Sequence, residues 1–429
     1  MAAQSMSELY KAVRAERKVK VNPYVSQSLK KTPLTGKFTL KLPGNVRQVQ
    51  RLSDDDVLAL CKCLQHNKCV TGLDLRYNNI TNEGVEHLAK LLQEEKSSLS
   101  CLDLMFNDIQ ANGAQVLASS LQGNSTLLSL RLSGNKIGRG GGLELASMLQ
   151  ENCALQELEV ADCDLDTSSI IALIIMLKKN KALCSVDISR PLLFSHQEEW
   201  AVHCSKMLAV NSSLMELHLG RMGMTDTGIE QLTEGLGRNN SLRYLDLCSN
   251  RVTRDGAFHL AMMLKQNRAL EILDLSSNQI GDGGAGYLSK AITCPRSTLK
   301  ELSVCRNNIT SEGLLLLAQA VKSSSTLTHM YIWGNHLEDP VCQIDAPSLL
   351  QAFKELISSG RLHPEQTDVS PYEVDGHVFL AEVFQSLRKP VYNIDCNGTD
   401  VPTKTAASPD STAHHGQLKD YLNCKDLSL

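Results

Sequence analysis

One nine-residue spacing, LxxLxLxxN, recurs along this chain and limits the folds open to it more than any other feature. Its clearest copy is residues 242–250, and residues 257–264 then place apolar side chains at positions i, i+3, i+4 and i+7. The first pattern predicts a short strand and the second an amphipathic helix. Copies begin, at steps of 28 or 29 residues with one step of 31, at Val70, Leu99, Leu127, Leu155, Leu183, Leu214, Leu242, Leu270, Leu299 and Leu327. Ten such units predict a solenoid in which each unit packs on its neighbours.

The predicted fold class is α/β, a horseshoe-shaped solenoid with a parallel inner sheet and outer helices. Helices pack farther apart than strands, so a stack of strand–helix units is expected to curve toward the strand side. The asparagine that closes each spacing, Asn250 in the clearest copy, is expected to turn inward and bond backbone groups where the strand ends. A glycine such as Gly256 recurs just inside most of the helices, where a missing side chain permits close packing.

The domain organisation follows from where the units start and stop. Residues 1–44 hold scattered lysines and prolines and are predicted to be a basic, largely flexible arm. Residues 45–69 are predicted to form an N-terminal cap made of the helix half of a unit. The ten units span residues 70–360, residues 361–396 are predicted to form a C-terminal cap with a hairpin, and residues 397–429 are expected to be disordered.

Charge separates the arm from the solenoid. Residues 1–50 carry ten Lys and Arg against two Glu, a net charge of +8, whereas the whole chain carries −4. The remainder therefore carries −12. A basic arm could bind nucleic acid or an acidic protein, and a solvated tail is the alternative interpretation.

The repeat pattern breaks in the middle of the chain. The unit that starts at Leu183 is three residues longer than its neighbours, and Arg190 and Pro191 stand where its asparagine is expected. The next unit carries Met222 at that position, and the preceding unit carries Cys163. We interpret this region as a local distortion of the solenoid, with a binding site as the alternative.

The unit length and the helix in every unit resemble the ribonuclease-inhibitor type of leucine-rich repeat over about residues 53–360. Residues 189–191 (SRP) with 195–199 (SHQEE), 331–335 (YIWGN) and 367–383 (TDVSPYEVDGHVFLAEV) depart from the general repeat consensus and resemble one narrower group in that family. This resemblance implies a non-enzymatic protein of the nucleus and nucleolus that contacts nucleolar proteins. It also implies a link to pluripotency, proliferation and differentiation of stem cells or germ cells, while a cytoplasmic location stays open.

No enzyme or cofactor is predicted, because no constellation of acid, base, nucleophile or metal ligand is recognisable. Cys61, Cys63, His66 and Cys69 have a superficial metal-site spacing, but Cys61 and Cys63 lie about 200° apart on one helix. The glycine run 138–142 lacks the Lys-Ser or Lys-Thr ending of a phosphate loop and falls where every unit turns into its helix.

An intracellular location is expected and no membrane contact is predicted. No apolar run reaches the 18 or so residues of a membrane helix, and residues 1–20 do not resemble a signal peptide. The 14 cysteines are expected to be thiols, since a reducing compartment disfavours disulfides.

The concave face of the sheet is the candidate binding surface. One position between the paired strand apolars is acidic in six of ten units, and the adjacent position holds mostly small side chains that leave room for a partner. Two aromatic residues at the end of these columns are candidate anchors. The candidate residues are Asp74, Asp103, Glu159, Asp187, Asp246, Asp274, Tyr331 and Trp333. Because LDL is common in such repeats, repeat consensus is the alternative explanation of the acidic column.

Three functions are weighed on this basis. The first is a protein-interaction scaffold that binds a basic protein segment on the concave face. The second is an RNA-associated or ribosome-biogenesis factor in which the basic arm contacts nucleic acid. The third is a structural component of a large assembly such as the ciliary axoneme.

Overall fold

The fold is given by a computed structural model that describes residues 5–33, 35–94, 97–192, 198–337, 349–374 and 377–383. The chain divides into Met1–Asn397 and Gly398–Leu429, and the second unit lies outside the described residues. The predicted disordered tail, residues 397–429, therefore stays a prediction.

Eleven parallel strands form one sheet, and each strand pairs with the strands of the units before and after it. The strands are β1 (Phe38–Lys41), β2 (Val70–Asp74), β3 (Cys101–Asp103), β4 (Ser129–Arg131), β5 (Glu157–Glu159), β6 (Ser185–Asp187), β7 (Glu216–His218), β8 (Tyr244–Asp246), β9 (Ile272–Asp274), β10 (Glu301–Ser303) and β11 (His329–Tyr331). The leucines of the repeat lie in one continuous core behind this sheet. The predicted leucine-rich repeat solenoid is thereby confirmed.

A helix follows each strand from β1 to β10. These helices are α3 (Asp54–Leu64), α4 (Asn82–Leu92), α5 (Ala111–Leu121), α6 (Gly138–Glu151), α7 (Thr167–Leu177), α8 (Glu199–Leu208), α9 (Asp226–Leu236), α10 (Arg254–Gln266), α11 (Gly281–Ile292) and α12 (Ser311–Ser323). Several begin at a threonine that caps the first turn, such as Thr81, Thr253 and Thr310. A threonine oxygen satisfies one of the backbone N–H groups that a helix start leaves unpaired.

The inward-turning asparagines form the predicted ladder. Asn250 donates from Nδ2 to the carbonyls of Leu219 and Leu247, both at 2.9 Å, and its Oδ1 accepts the N–H of Met224 at 3.0 Å. The same bonds to the preceding unit recur at Asn78, Asn107, Asn135, Asn278, Asn307 and Asn335. Each asparagine therefore joins its unit to the one before it.

A second asparagine ladder, which the sequence analysis missed, joins the other ends of the units. Each of these asparagines follows the end of one helix, and its Nδ2 donates at 2.7–2.9 Å to a last-turn carbonyl of the helix one unit earlier, as Asn124 after α5 donates to Leu92 of α4. The residues are Asn124, Asn152, Asn180, Asn211, Asn239 and Asn267. The signal was present in the sequence, since each of these residues stands three positions before the first leucine of its unit.

The glycines inside the helices make room for the preceding unit. A Cβ on Gly256 would lie 2.4 Å from Oδ1 of Asp226 and 2.7 Å from Cγ1 of Val252. Asp226 in turn accepts the backbone N–H of Thr253, so it caps the helix of the next unit. The expected close packing at these glycines is present, and its tightest contact is with this capping carboxylate.

The N-terminal residues differ from the flexible arm predicted for residues 1–44. Within them α1 (Met6–Glu16), α2 (Pro23–Lys30) and β1 are folded, and β1 extends the sheet by one parallel strand. Buried Arg14 lies 3.3 Å from buried Asp56 of α3, and the hydroxyl of Tyr10 donates to the same carboxylate. The cap therefore has a strand and begins before residue 45. Asp56 is the buried partner of these polar groups, and its distance along the chain hides it from any local sequence pattern.

The broken middle of the repeat leaves the strand pairing intact. Strands β5, β6 and β7 pair over three residues each with no shift in register. The predicted distortion is thus absent from the sheet. The Sγ of Cys163 donates to the carbonyl of Leu132 at 3.2 Å and replaces one bond of the asparagine ladder.

The segment after the repeats closes the C-terminal edge of the sheet. Helix α13 (Leu349–Ser358) packs on α12, and β12 (Val369–Val374) pairs antiparallel with β13 (His377–Glu382). The predicted hairpin is present, although its predicted turn at Asp375 and Gly376 lies outside the described residues. Thr367, just before β12, forms a parallel bridge with Met330 of β11.

Candidate functional site

The register of the sheet brings the predicted column together on its open face. Neighbouring strands pair residue by residue, so the residues after the second leucine of each unit lie side by side. They run from Asp74 through Asp103, Arg131, Glu159, Asp187, His218, Asp246, Asp274 and Ser303 to Tyr331. Adjacent strands are about 4.8 Å apart, so like charges in this row repel one another.

A second column of carboxylates lies on the same face and was missed. Glu157, Glu216 and Glu301 each stand two residues before a member of the predicted column, and alternate residues of a strand share a face. All three are buried against the neighbouring strands. Because alternate residues of a strand face the same side, the sequence was sufficient to predict these three residues. We use the name acidic sheet surface for the six carboxylates of β5 to β9, namely Glu157, Glu159, Asp187, Glu216, Asp246 and Asp274.

At the N-terminal end of the face, Arg76 neutralises the predicted pair Asp74 and Asp103. Its Nε lies 3.1 Å from Oδ1 of Asp74 and 3.7 Å from Oδ2 of Asp103. Burial, reinforced by the charge of Asp74, raises the pKa of Asp103 to about 6. These two aspartates are therefore engaged within the chain.

Arg131 likewise forms ion pairs with two carboxylates, those of Glu157 and Glu159. It lies 2.7 Å from Oε1 of Glu157 and 3.3 Å from Oε1 of Glu159. Burial nevertheless raises the pKa of Glu159, and the negative charges of Glu157 and Asp187 add to the rise. Arg131 therefore pairs with two carboxylates, and the raised pKa means that Glu159 holds its proton more strongly than a solvated glutamate does.

His218 is held between two carboxylates at the centre of the acidic sheet surface. Its Nε2 lies 3.7 Å from Glu216 and its Nδ1 lies 3.6 Å from Asp246, while its ring meets Tyr244 edge-on at 4.8 Å. Burial lowers the pKa of His218, but the neighbouring carboxylates of Asp246 and Glu216 outweigh it and raise the pKa to about 10. His218 is therefore a cation at neutral pH.

This arrangement predicts a pH-dependent contribution to stability. The folded-state pKa of His218 is raised above 6.5, so its stabilisation is complete below pH 6.5 and declines as the pH rises toward 10. His218→Gln should lower the free energy of unfolding more at pH 6.5 than at pH 10, measured by denaturant titration. His336→Gln, at an exposed histidine, is the control. An equal effect of His218→Gln at the two pH values would contradict the assignment.

Each aspartate of the acidic sheet surface also has a local backbone role. Asp187, Asp246 and Asp274 accept the N–H of the residue two positions later at 2.7–2.9 Å. This bond gives a structural reason for the LDL consensus. Asp187 forms no ion pair with a lysine or arginine among the described residues.

The two predicted aromatic anchors are partly buried at the C-terminal edge. Tyr331 pairs in register with Ser303 and ends the column. The backbone N–H of Trp333 donates to Oδ2 of Asp368 at 2.9 Å, and that of Ile332 donates to Oδ1 at 2.8 Å. Asp368 of the C-terminal cap therefore holds the backbone that follows β11. The sequence did not predict this contact, because Asp368 is distant from Trp333 in the chain.

In the described part of the chain, no three His, Cys, Asp or Glu side chains come together as a metal site. Cys61 and Cys63 are free, buried thiols, and burial raises the pKa of each to about 12. None of the described helices combines the length and hydrophobicity that a membrane span requires.

The repeated strand–helix units, their parallel sheet and its two asparagine ladders define a leucine-rich repeat protein. The family model described as "Leucine Rich repeat" matches six segments, residues 66–89, 95–118, 123–146, 238–261, 266–289 and 297–318. More narrowly, the chain belongs to the family of leucine-rich repeat-containing protein 34. It is 47% identical to the Homo sapiens member over 391 residues, which cover 89% of this chain and 82% of that protein.

Two further proteins are similar to this chain. The Mus musculus member is 41% identical over 222 residues, which cover 52% of each chain. Among solved structures, an internalin from Listeria monocytogenes is 16% identical, with a TM-score of 0.40, and the match covers 86% of this chain and 99% of that one.

Proposed function

We propose that this chain is a protein-interaction scaffold that binds a basic segment of a partner protein on the acidic sheet surface. The observation that carries the proposal is the composition of the open face from β4 to β9. In the three columns of that face six carboxylates stand against two cations, Arg131 and His218. A partner that brings lysines or arginines would relieve the repulsion within the row.

Space on the face supports the same proposal. The column beside the carboxylates holds Ser133, Ala161, Ser189 and Gly220 in four successive units. These side chains are among the smallest available, so an extended peptide can approach the backbone of the sheet there. The carboxylates of Asp187 and Asp246 border this column of small residues, and the second oxygen of Asp187 is an acceptor that a cationic side chain would use.

The test is binding of a lysine- and arginine-rich peptide to the full chain, followed by fluorescence anisotropy at several salt concentrations. Reversing Asp246 and Asp274 together to Lys should weaken binding by at least about tenfold, because two attractive charges become repulsive. The matched control reverses Glu230 and Glu234 on the outer side of α9, which makes the same change of net charge. Equal losses in both variants would contradict the proposal.

A second pair of variants separates binding from folding. Asp187→Asn and Asp274→Asn keep an oxygen for the N–H groups of Ser189 and Ser276 while removing the charge. They should retain the unfolding midpoint and still lose part of the affinity. Unchanged affinity in these neutral variants would remove the electrostatic basis of the proposal.

The finer expectations stay predictions. They are the nuclear or nucleolar location, the link to stem-cell or germ-cell states, RNA binding through the N-terminal residues and a place in the axoneme. For RNA binding, Arg14 and Arg17 are engaged with Asp56 and Asp55 of α3, which leaves fewer arginines for phosphates than the sequence suggested. Imaging of the tagged full chain would distinguish the locations.

A further inference from the structure

Helix α7 is apolar on all sides, unlike the other repeat helices. Residues 170–177 read IIALIIML, and the inner face of Ile170, Leu173, Ile174 and Leu177 is buried in the core. The outer face is formed by Ile171, Ala172, Ile175 and Met176, which are partly exposed. A helix that is apolar all round is normally covered on all sides. Among the described residues nothing lies over this outer face except its neighbours α6 and α8.

The equivalent positions of other units differ in polarity. The two outermost positions are polar in α4 (Glu86 and Lys90), α5 (Gln115 and Ser119) and α9 (Glu230 and Glu234), and they are apolar in α10, where Phe258 and Met262 are each 42% exposed. In α7 the same two positions are Ile171 and Ile175. The apolar character therefore does not come from repeat consensus.

The flanking helices widen this face into a patch. Leu143 of α6 is 38% exposed, and Val202 of α8 is partly exposed at the matching position. We use the name α7 patch for Leu143, Ile171, Ala172, Ile175, Met176 and Val202. Polar α5 and acidic α9 border it on either side. It lies on the helix side of the solenoid, whereas the acidic sheet surface is on the strand side.

The charges around the α7 patch are unequal at its two ends. Lys178 and Lys179 follow the C-terminal end of α7, and Lys206 lies near the same end of α8. At the opposite end Glu199 begins α8. Lys178, Lys179 and Glu199 form no ion pair within the described part of the chain. On α7 and α8 the patch thus has one basic end and one acidic end, whereas α6 carries Arg139 and Glu151 in the opposite order.

We propose that the α7 patch is the contact surface for a second copy of this chain, with the two α7 helices antiparallel across a two-fold axis. A two-fold axis makes each surface its own partner. An antiparallel arrangement places the lysines of one copy over Glu199 of the other, whereas a parallel one opposes lysine to lysine. The apolar side chains of α7 then cover one another at the centre.

The size of the patch determines how stable such a pair is. Helix α7 has 11 residues and is about 16 Å long at 1.5 Å per residue. Three helices about 10 Å apart give a patch of roughly 400 Å² per copy, at the low end of protein interfaces. The dimer is therefore reversible and depends on concentration.

The test is sedimentation velocity of the full chain over a hundredfold range of concentration. The average mass should rise toward twice that of one chain. The double variant Ile171→Glu with Ile175→Glu should shift the midpoint of self-association at least tenfold higher. The matched control, Gln115→Glu with Ser119→Glu on α5, should leave the midpoint within twofold of the unmodified chain.

Charge reversal tests the antiparallel arrangement. Lys178→Glu with Lys179→Glu should weaken self-association by at least tenfold, and adding Glu199→Lys to the same chain should restore part of it. A chain that is monomeric at every concentration overturns the proposal and assigns the patch to another occupant. Equal weakening by the α5 and α7 variants also overturns it, because the association would then lie elsewhere.

Discussion

Gly235→Ala is expected to lower the free energy of unfolding by about 3 kcal/mol, because the added methyl group has no room between two helices. A Cβ on Gly235 of α9 would lie 2.1 Å from the carbonyl oxygen of Ser205 in α8 and 2.7 Å from its Cα. These are backbone atoms, so no side-chain rotation can relieve the contact. The helices must separate instead, and the leucines packed beneath them lose contact.

Denaturant unfolding followed by circular dichroism measures this effect. The matched control is Gly286→Ala in α11, where the new Cβ would meet only Cδ1 of Leu316 at 3.5 Å, an ordinary contact. In the control the better helix propensity of alanine should raise stability by up to about 1 kcal/mol. If both variants shift stability equally, the close approach of α8 and α9 is not what requires glycine at position 235.

Asn250→Ala is expected to cost about 3 kcal/mol, because it leaves several buried backbone groups without partners. Asn250 donates to the carbonyls of Leu219 and Leu247 and accepts the N–H of Met224, so it serves two units at once. Asn250 is also the first asparagine after the three units that carry Cys163, Pro191 and Met222 at this position. Because the preceding unit carries Met222 at this position, it makes no equivalent asparagine bond that could compensate for the loss.

The control for this variant is Asn240→Ala at an exposed asparagine in the loop before β8, which should change stability by less than about 0.5 kcal/mol. Thermal and denaturant unfolding should both show that Asn250→Ala is less stable than Asn240→Ala. Comparable losses at positions 240 and 250 would show that the buried bonds do not set the stability of this region. Because units contact only their neighbours, the transition of Asn250→Ala should also broaden.

The repeat itself was predictable in detail. The spacing located strands β2 to β11, and the expectation that Asn250 and its equivalents turn inward is confirmed by their bonds. The column from Asp74 to Tyr331 lies in the register that the spacing implies. Local rules were sufficient for these features because each unit repeats the same short-range pattern and contacts only its neighbours.

The electrostatic state of the column was not predictable to the same degree. The sequence suggested a row of equivalent acidic residues, whereas Arg76 and His218 divide it into engaged and excess charges. Arg76 is two positions from Asp74 in the chain but reaches Asp103 only through the pairing of β2 with β3. Such cross-strand contacts depend on side-chain length and burial as well as on register.

The N-terminal residues show where local patterning fails. Residues 1–44 have weak periodicity and many charges, which favoured a flexible arm. Their order depends on long-range partners, since Tyr10 and Arg14 share the buried carboxylate of Asp56. No pattern within the segment itself reveals that partner.

The sequence by itself determined the number of units, their strand–helix order, the inward asparagines and the acidic column, because these follow from a short pattern repeated at a nearly constant interval. Only the tertiary structure decided which carboxylates are neutralised, how the ends of the sheet are closed and that the outer face of α7 lies open among the described residues. These features arise from contacts between residues far apart in the chain. Hydrophobic periodicity specifies which side of an element is buried, whereas the identity of each polar partner is a property of the assembled sheet.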